Sequence, residues 1–147
     1  MHPAANLTRR ERTRILVEAG PDLRGMLAAE VREAHTLRVL QAPTRGLVML
    51  QLRESAKRSR FLMGETIVTE AKVQLGTAIG LGIIAGDDPQ AALDLAAIDA
   101  AWNASVPELS AWQERLRVAS AALRASAADE DAKLLETRVR FDTMELT

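Results

Sequence analysis

Apolar positions near the start of the chain recur at three- and four-residue spacing, the mark of a helix with one buried face. Over residues 6–19 a basic first turn (Arg9, Arg10, Arg12, Arg14) leads into Ile15, Leu16 and Val17. Gly20-Pro21 ends this run, because glycine suits the position after a helix and proline cannot continue one. Pro21 then stands at the favoured first-turn location of a second helix, in which Leu23, Met26, Leu27 and Val31 make one face largely apolar. A helical hairpin is predicted over residues 1–34.

From His35 the period falls to two. Leu37 and Val39 alternate with Thr36 and Arg38, and Pro43 closes this first strand as an edge or turn residue. Gly46-Leu47-Val48-Met49-Leu50-Gln51-Leu52 is apolar on both faces and reads as a central strand. A polar loop follows over residues 53–60. Residues 65–75 then alternate cleanly, with Ile67, Thr69, Ala71, Val73 and Leu75 on one side. Gly76 makes a tight reversal into a fourth strand over residues 77–85. Short links between successive strands imply an antiparallel meander over residues 35–86.

The remainder reads as helical. Asp87 or Asp88 caps a helix with Pro89 in its first turn, rich in alanine almost all round and running to about Asn103. Ser105-Val106-Pro107-Glu108 has the spacing of a capping box. Leu109, Trp112, Leu116, Ala119 and Leu123 then repeat at helical spacing, and the helix either breaks near Ser126 or continues to Arg138. Residues 139–147 form a short extended tail. The expectation is a single α+β domain: a four-stranded antiparallel sheet flanked by an N-terminal helical hairpin and C-terminal helices (residues 87–138).

Composition narrows the chemistry. The 147 residues include no cysteine and two histidines, so disulfides and thiolate chemistry are excluded. Aromatics are 3% of the chain and tyrosine is absent, which with a net charge of −1 argues against a nucleic-acid binder. No apolar stretch approaches the roughly 18–20 residues of a membrane span. The start lacks the charged and apolar regions of a signal peptide, so a cytoplasmic location is expected. The charge is unevenly spread: residues 1–60 carry 12 Lys/Arg against 6 Asp/Glu, and residues 61–147 carry 7 against 14. Such a split fits two partner surfaces, an intramolecular match between halves, or simply two solvated faces.

Candidate reactive groups each have a structural explanation. Gly80, Gly82 and Gly86 lack the spacing of a dinucleotide loop; Gly80 and Gly82 instead strip one strand face, admitting the backbone of the Ala-rich helix or of a partner. Asp87 and Asp88 are explained by capping. Asp94 and Asp99, five apart, point away from each other around a helix and suit no shared ion. His35 reads as a surface residue. Trp102 and Trp112 are packing anchors or interface residues. Arg53, Lys57, Arg58 and Arg60 place four cations in one loop, able to hold a phosphate or an acidic partner if they do more than solvate it. No catalytic, cofactor-binding or metal-ligating set is assigned.

Several segments together resemble the PhnG family, the G subunit of the bacterial carbon–phosphorus lyase system. The resemblance is carried by Gly46 to Leu52, then Phe61-Leu62-Met63-Gly64-Glu65-Thr66-Ile67-Val68-Thr69, Ala71 to Thr77, Gly80, and Gly86-Asp87-Asp88. The closing Thr137-Arg138-Val139-Arg140-Phe141-Asp142-Thr143-Met144 resembles the family's terminal signature. The chain departs from the pattern at Glu70-Ala71, where an Arg-Cys pair is usual, and after Gly86, where an arginine and a histidine are missing.

The resemblance implies an accessory subunit that works with the H, I and J proteins, and with the L protein, in a transferase complex. That complex forms α-D-ribose 1-methylphosphonate 5-triphosphate from ATP and a phosphonate, with release of adenine. MgATP is then a substrate of the complex, and no cofactor is expected on this chain alone. Gly80, Gly82, Trp102, Trp112, Val139, Phe141, Thr143 and Met144 are the expected partner-contact residues. The alternative is a stand-alone homo-oligomeric module that binds a phosphorylated small molecule through residues 53–60.

Overall fold

The computed structural model describes residues 7–136. In chain order these form α1 (Arg9–Glu18), α2 (Pro21–Ala34), β1 (Leu37–Arg53), β2 (Arg60–Leu75), β3 (Ala78–Ala85), α3 (Pro89–Asn103) and α4 (Leu109–Glu136). The helix signals at Pro21 and Asp88 act as their sequence suggests, and Thr8 adds a cap that the residue pattern above did not include. Thr8 caps α1 in a reciprocal box with Glu11, Pro21 opens α2, and the Asp88 carboxylate accepts the Ala91 N–H at 2.9 Å to start α3. The Ser105–Glu108 pair does not form a capping box. Ser105 takes a positive φ of 56° beyond the end of α3, and the Glu108 carboxylate turns to His35 Nε2 at 3.1 Å. α4 continues through Ser126 without a break.

The sheet has three strands in the order β1-β2-β3, all antiparallel, and not the four expected from the sequence. The two runs on either side of Pro43 belong to one strand. Proline cannot donate to a ladder, but β1 lies at the sheet edge and its register with β2 shifts between Gln41 and Thr44, so Pro43 occupies a bulge. The same finding moves residues 46–52 from a central position to the edge. β2 also begins earlier than the alternation suggested, at Arg60, which shortens the loop to residues 54–59. Gly76 supplies the positive φ, 59°, of the two-residue turn between Leu75 and Ala78.

α3 lies on the sheet at backbone contact. Thr69, Ala71 and Val73 of β2 and Gly80 and Gly82 of β3 face it, and all are buried. A Cβ on Gly80 would sit 2.1 Å from the Ala96 carbonyl oxygen, and one on Gly82 only 1.9 Å from that of Ala92. Ala92, Ala96 and Ala100, themselves fully buried, are the helix's side of this contact. Polar bonds reinforce it, with the Leu81 N–H donating to Asp99 at 3.0 Å and the Asn103 amide donating to the Ile79 carbonyl at 2.8 Å. The opposite side of α3 meets the main core, where Leu27, Val31, Ile98, Trp112 and Leu116 are almost wholly enclosed.

The N-terminal hairpin is tied to α3 by charge. Asp99, 6% exposed, receives Arg9 at 2.6 Å and Arg12 at 3.0 Å, and Asp94 receives Arg32 at 2.6 Å. Arg12 also lies 4.8 Å over the Trp102 ring. The basic half of the sequence therefore meets the acidic half within one molecule, the intramolecular option left open above.

Two outcomes test this packing. Gly82→Ala forces two backbones apart and is expected to cost about 3 kcal/mol or more in denaturant unfolding. Gly46→Ala, whose nearest contact would be Val68 Cγ2 at 3.8 Å, serves as the tolerated control. Asp99→Ala leaves Arg12 buried without a counter-charge and is expected to cost roughly 3–5 kcal/mol by the same measurement.

Candidate functional site

β1 and β2 are much longer than β3. β3 pairs with β2 only from Val68 to Leu75, while the β1–β2 ladder continues out to the Arg53–Arg60 pair. Beyond β3 the sheet is thus a two-stranded arm built from residues 46–53 and 60–67. At about 3.3 Å per residue it projects on the order of 26 Å.

Both faces of the arm are largely apolar, interrupted by Glu65 opposite Met49 and Gln51 opposite Leu62 on one and by Thr66 opposite Val48 on the other. The register places Leu47 opposite Ile67 and Leu62 opposite Gln51, on the side that α3 covers further down the sheet. Val48, Leu50 and the Leu52–Phe61 pair share the other side. All are exposed, Leu47 by 66% and Met49 by 61%. Nearer the core, the face turned away from α3 carries Gln41, Thr44, Glu70, Lys72 and Gln74 beside Ile79 and Ile83, and the Gln41 amide donates to Glu70 at 2.7 Å. The pattern thus changes from one polar face to two largely apolar faces where β3 stops.

Four cations gather at the tip. Arg53 and Arg60 end the strands, and Lys57 and Arg58 lie in the connecting turn, where Arg58 has a φ of 54°. The turn is closed by the Glu54 N–H donating to the Ser59 carbonyl at 2.9 Å and by the Ser59 hydroxyl donating to the Glu54 carboxylate at 3.0 Å. Glu54 is the one acidic residue among residues 53–60, so the tip is strongly cationic.

The other expected contact residues lie elsewhere. Gly80 and Gly82 are filled by α3, and Trp112 is fully buried, its indole N–H donating to Glu30 at 2.7 Å. Trp102 is half-buried, its ring 6.2 Å from that of Trp112 and inclined at 41°. Val139, Phe141, Thr143 and Met144 lie outside the described residues. Asp88 caps α3, while Asp87 meets Arg45 at 3.3 Å. Sequence reading missed Thr69, whose buried hydroxyl donates to the Gly86 carbonyl at 2.7 Å and accepts the Asp88 N–H at 3.1 Å. It holds the passage from β3 into α3, and only its place in the alternating run hinted that it was buried.

The titratable groups that depart from their ordinary values serve this scaffold. Burial pushes the Arg12 guanidinium below its usual value, against the pull of Asp99. At Glu30 burial favours the neutral acid, but hydrogen bonds from Arg115 and Trp112 outweigh it and hold the carboxyl below the usual carboxylate range. Glu108 is also held low, by its own backbone N–H and, against some burial, by His35. Among the described residues no three His, Asp or Glu converge to hold a metal ion, and no helix is long and apolar enough to cross a membrane.

The sequence matches the family described as phosphonate metabolism protein PhnG over residues 7–145. The match spans nearly the whole chain, and the protein belongs to that family, which places it in phosphonate metabolism. No curated protein matches the chain.

Glu30 gives a pH dependence of known sign. Its folded-state value is depressed, so it stabilises the fold above the carboxylate range and that contribution is lost as the pH falls through the folded value. Glu30→Gln is expected to lower stability at neutral pH and to flatten the acid limb of a plot of unfolding free energy against pH.

Proposed function

We propose that the chain is an accessory subunit of the carbon–phosphorus lyase system. In this reading it supports, within a complex containing the H, I and J proteins and associated with the L protein, the displacement of adenine from ATP by a phosphonate. The product is α-D-ribose 1-methylphosphonate 5-triphosphate, MgATP is a substrate of the complex, and the location is cytoplasmic. Membership of the PhnG family across residues 7–145 carries the proposal. The structure supports the accessory part of it through the work its polar groups already do. Asp94, Asp99 and Glu30 are engaged by arginines of other helices, and Glu108, just before α4, pairs with His35 at the end of α2.

The test is co-purification of the full chain with the cognate I protein, followed by assay of adenine release from ATP and a phosphonate. A stable complex whose adenine release falls when this chain is omitted is the expected result. No complex, together with unchanged activity of the I protein, overturns the proposal. Saturable binding of ATP or a phosphonate by the isolated chain, abolished by charge reversal at Lys57 and Arg58, would instead favour a stand-alone phosphate-binding module.

A further inference from the structure

We infer that the arm formed by residues 46–53 and 60–67 is this chain's docking element, and that it enters an apolar cleft with an acidic end on a partner protein. The inference rests on the subunit reading above and deepens it by naming the surface and the chemistry of its receptor.

Three observations converge on it. The first is a mismatch between composition and exposure. Gly46 to Leu52 has the two-sided apolar pattern of a strand covered on both faces, yet none of the described residues covers either face. The second is area. Nine large apolar side chains of the arm are exposed; at roughly 100 Å² each they offer on the order of 900 Å². Divided between the two faces of the arm, this total is close to the ~800 Å² each partner gives a standard interface. The third is charge. The cations Arg53, Lys57, Arg58 and Arg60 sit at the end of the arm that enters first, so a receptor that removes them from water must supply carboxylates there.

The geometry favours a cleft over a second copy of the arm. Two arms joined edge to edge would leave all four apolar faces bare. Two arms stacked face to face would cover one face of each and leave the outer faces in water. A cleft with two walls covers both faces of one arm at once.

The experiment uses the full chain and the purified cognate I protein. Leu47→Asp with Met49→Asp alters one face, Leu50→Asp with Leu52→Asp the other, and Lys57→Glu with Arg58→Glu the tip. Each pair is expected to weaken binding at least tenfold, while Val118→Asp on the exposed side of α4 leaves it unchanged. Hydrogen exchange at residues 46–53 and 60–67 of the unaltered chain is expected to slow on complex formation, which provides a readout independent of how the variants fold. Unaltered binding by both face variants, with no exchange protection in the arm, overturns the inference while leaving the subunit reading intact. A concentration-dependent dimer of the isolated chain that is lost in the face variants also overturns it, by making a second copy the occupant. Failure of the unaltered chain to bind removes the subunit reading, and the inference with it.

Discussion

The close approach of α3 to the sheet is the constraint on which the rest of the molecule depends. With no side chain at Gly80 or Gly82 and only methyl groups at Ala92, Ala96 and Ala100, the helix and strand backbones meet directly. This depth of contact lets Asp99 and Asn103 reach the backbone of β3, satisfying groups on the outer edge of that strand. It also fixes where the flanks of α3 lie, and so where Asp94 and Asp99 present their carboxylates to the N-terminal hairpin. A larger residue on either side would move the helix outward and disturb the strand-edge bonds and the ion pairs together.

The charge distribution follows from that arrangement. An excess of arginine in the first 60 residues and of acid afterwards looked compatible with two separate partner surfaces. Much of it is instead consumed internally, by Arg9, Arg12 and Arg32 against Asp99 and Asp94, and by Arg45 against Asp87. Arg115 on α4 and Glu30 on α2 make the exchange in the opposite sense. What remains concentrated after this pairing is the positive tip of the arm. The buried pairs owe their value to geometry: Asp99 accepts from two guanidinium groups and a backbone N–H, so its carboxylate is well satisfied despite its burial.

Local chemistry was legible in the sequence, and tertiary context was not. Thr8 aside, the helix punctuation at Gly20-Pro21 and Asp88-Pro89 could be read because capping is decided within four residues. The packing role of Gly80 and Gly82 could be read because their spacing places both on one strand face. Pro43 misled, since a proline in an extended run signals a strand end unless a bulge on an edge strand absorbs it, and the edge is a property of the whole sheet. The Ser105–Glu108 spacing failed for a similar reason, because the chain leaves α3 with Ser105 at a positive φ, unlike the extended backbone of a cap, and the Glu108 carboxylate meets His35, 73 residues away. The family resemblance was legible for a different reason, through an ordered series of segments and not through any single reactive group.

The arm shows how these levels join. Because it is largely apolar on both faces, a one-residue slip of β1 against β2 there would exchange one apolar face for the other at little cost, so the arm cannot set its own register. The register is set nearer the core, where Thr69, Ala71 and Val73 must face α3 and a slip would bury Glu70 and Lys72 in their place. An isolated two-stranded ribbon is at best marginally stable in water, so order in the arm is borrowed along the same two strands from the covered half of the sheet. The glycine–alanine contact thus does more than hold α3 in place. Through the continuous strands β1 and β2 it fixes which side chains the arm presents on each face, some 20 Å or more from the helix that enforces the choice.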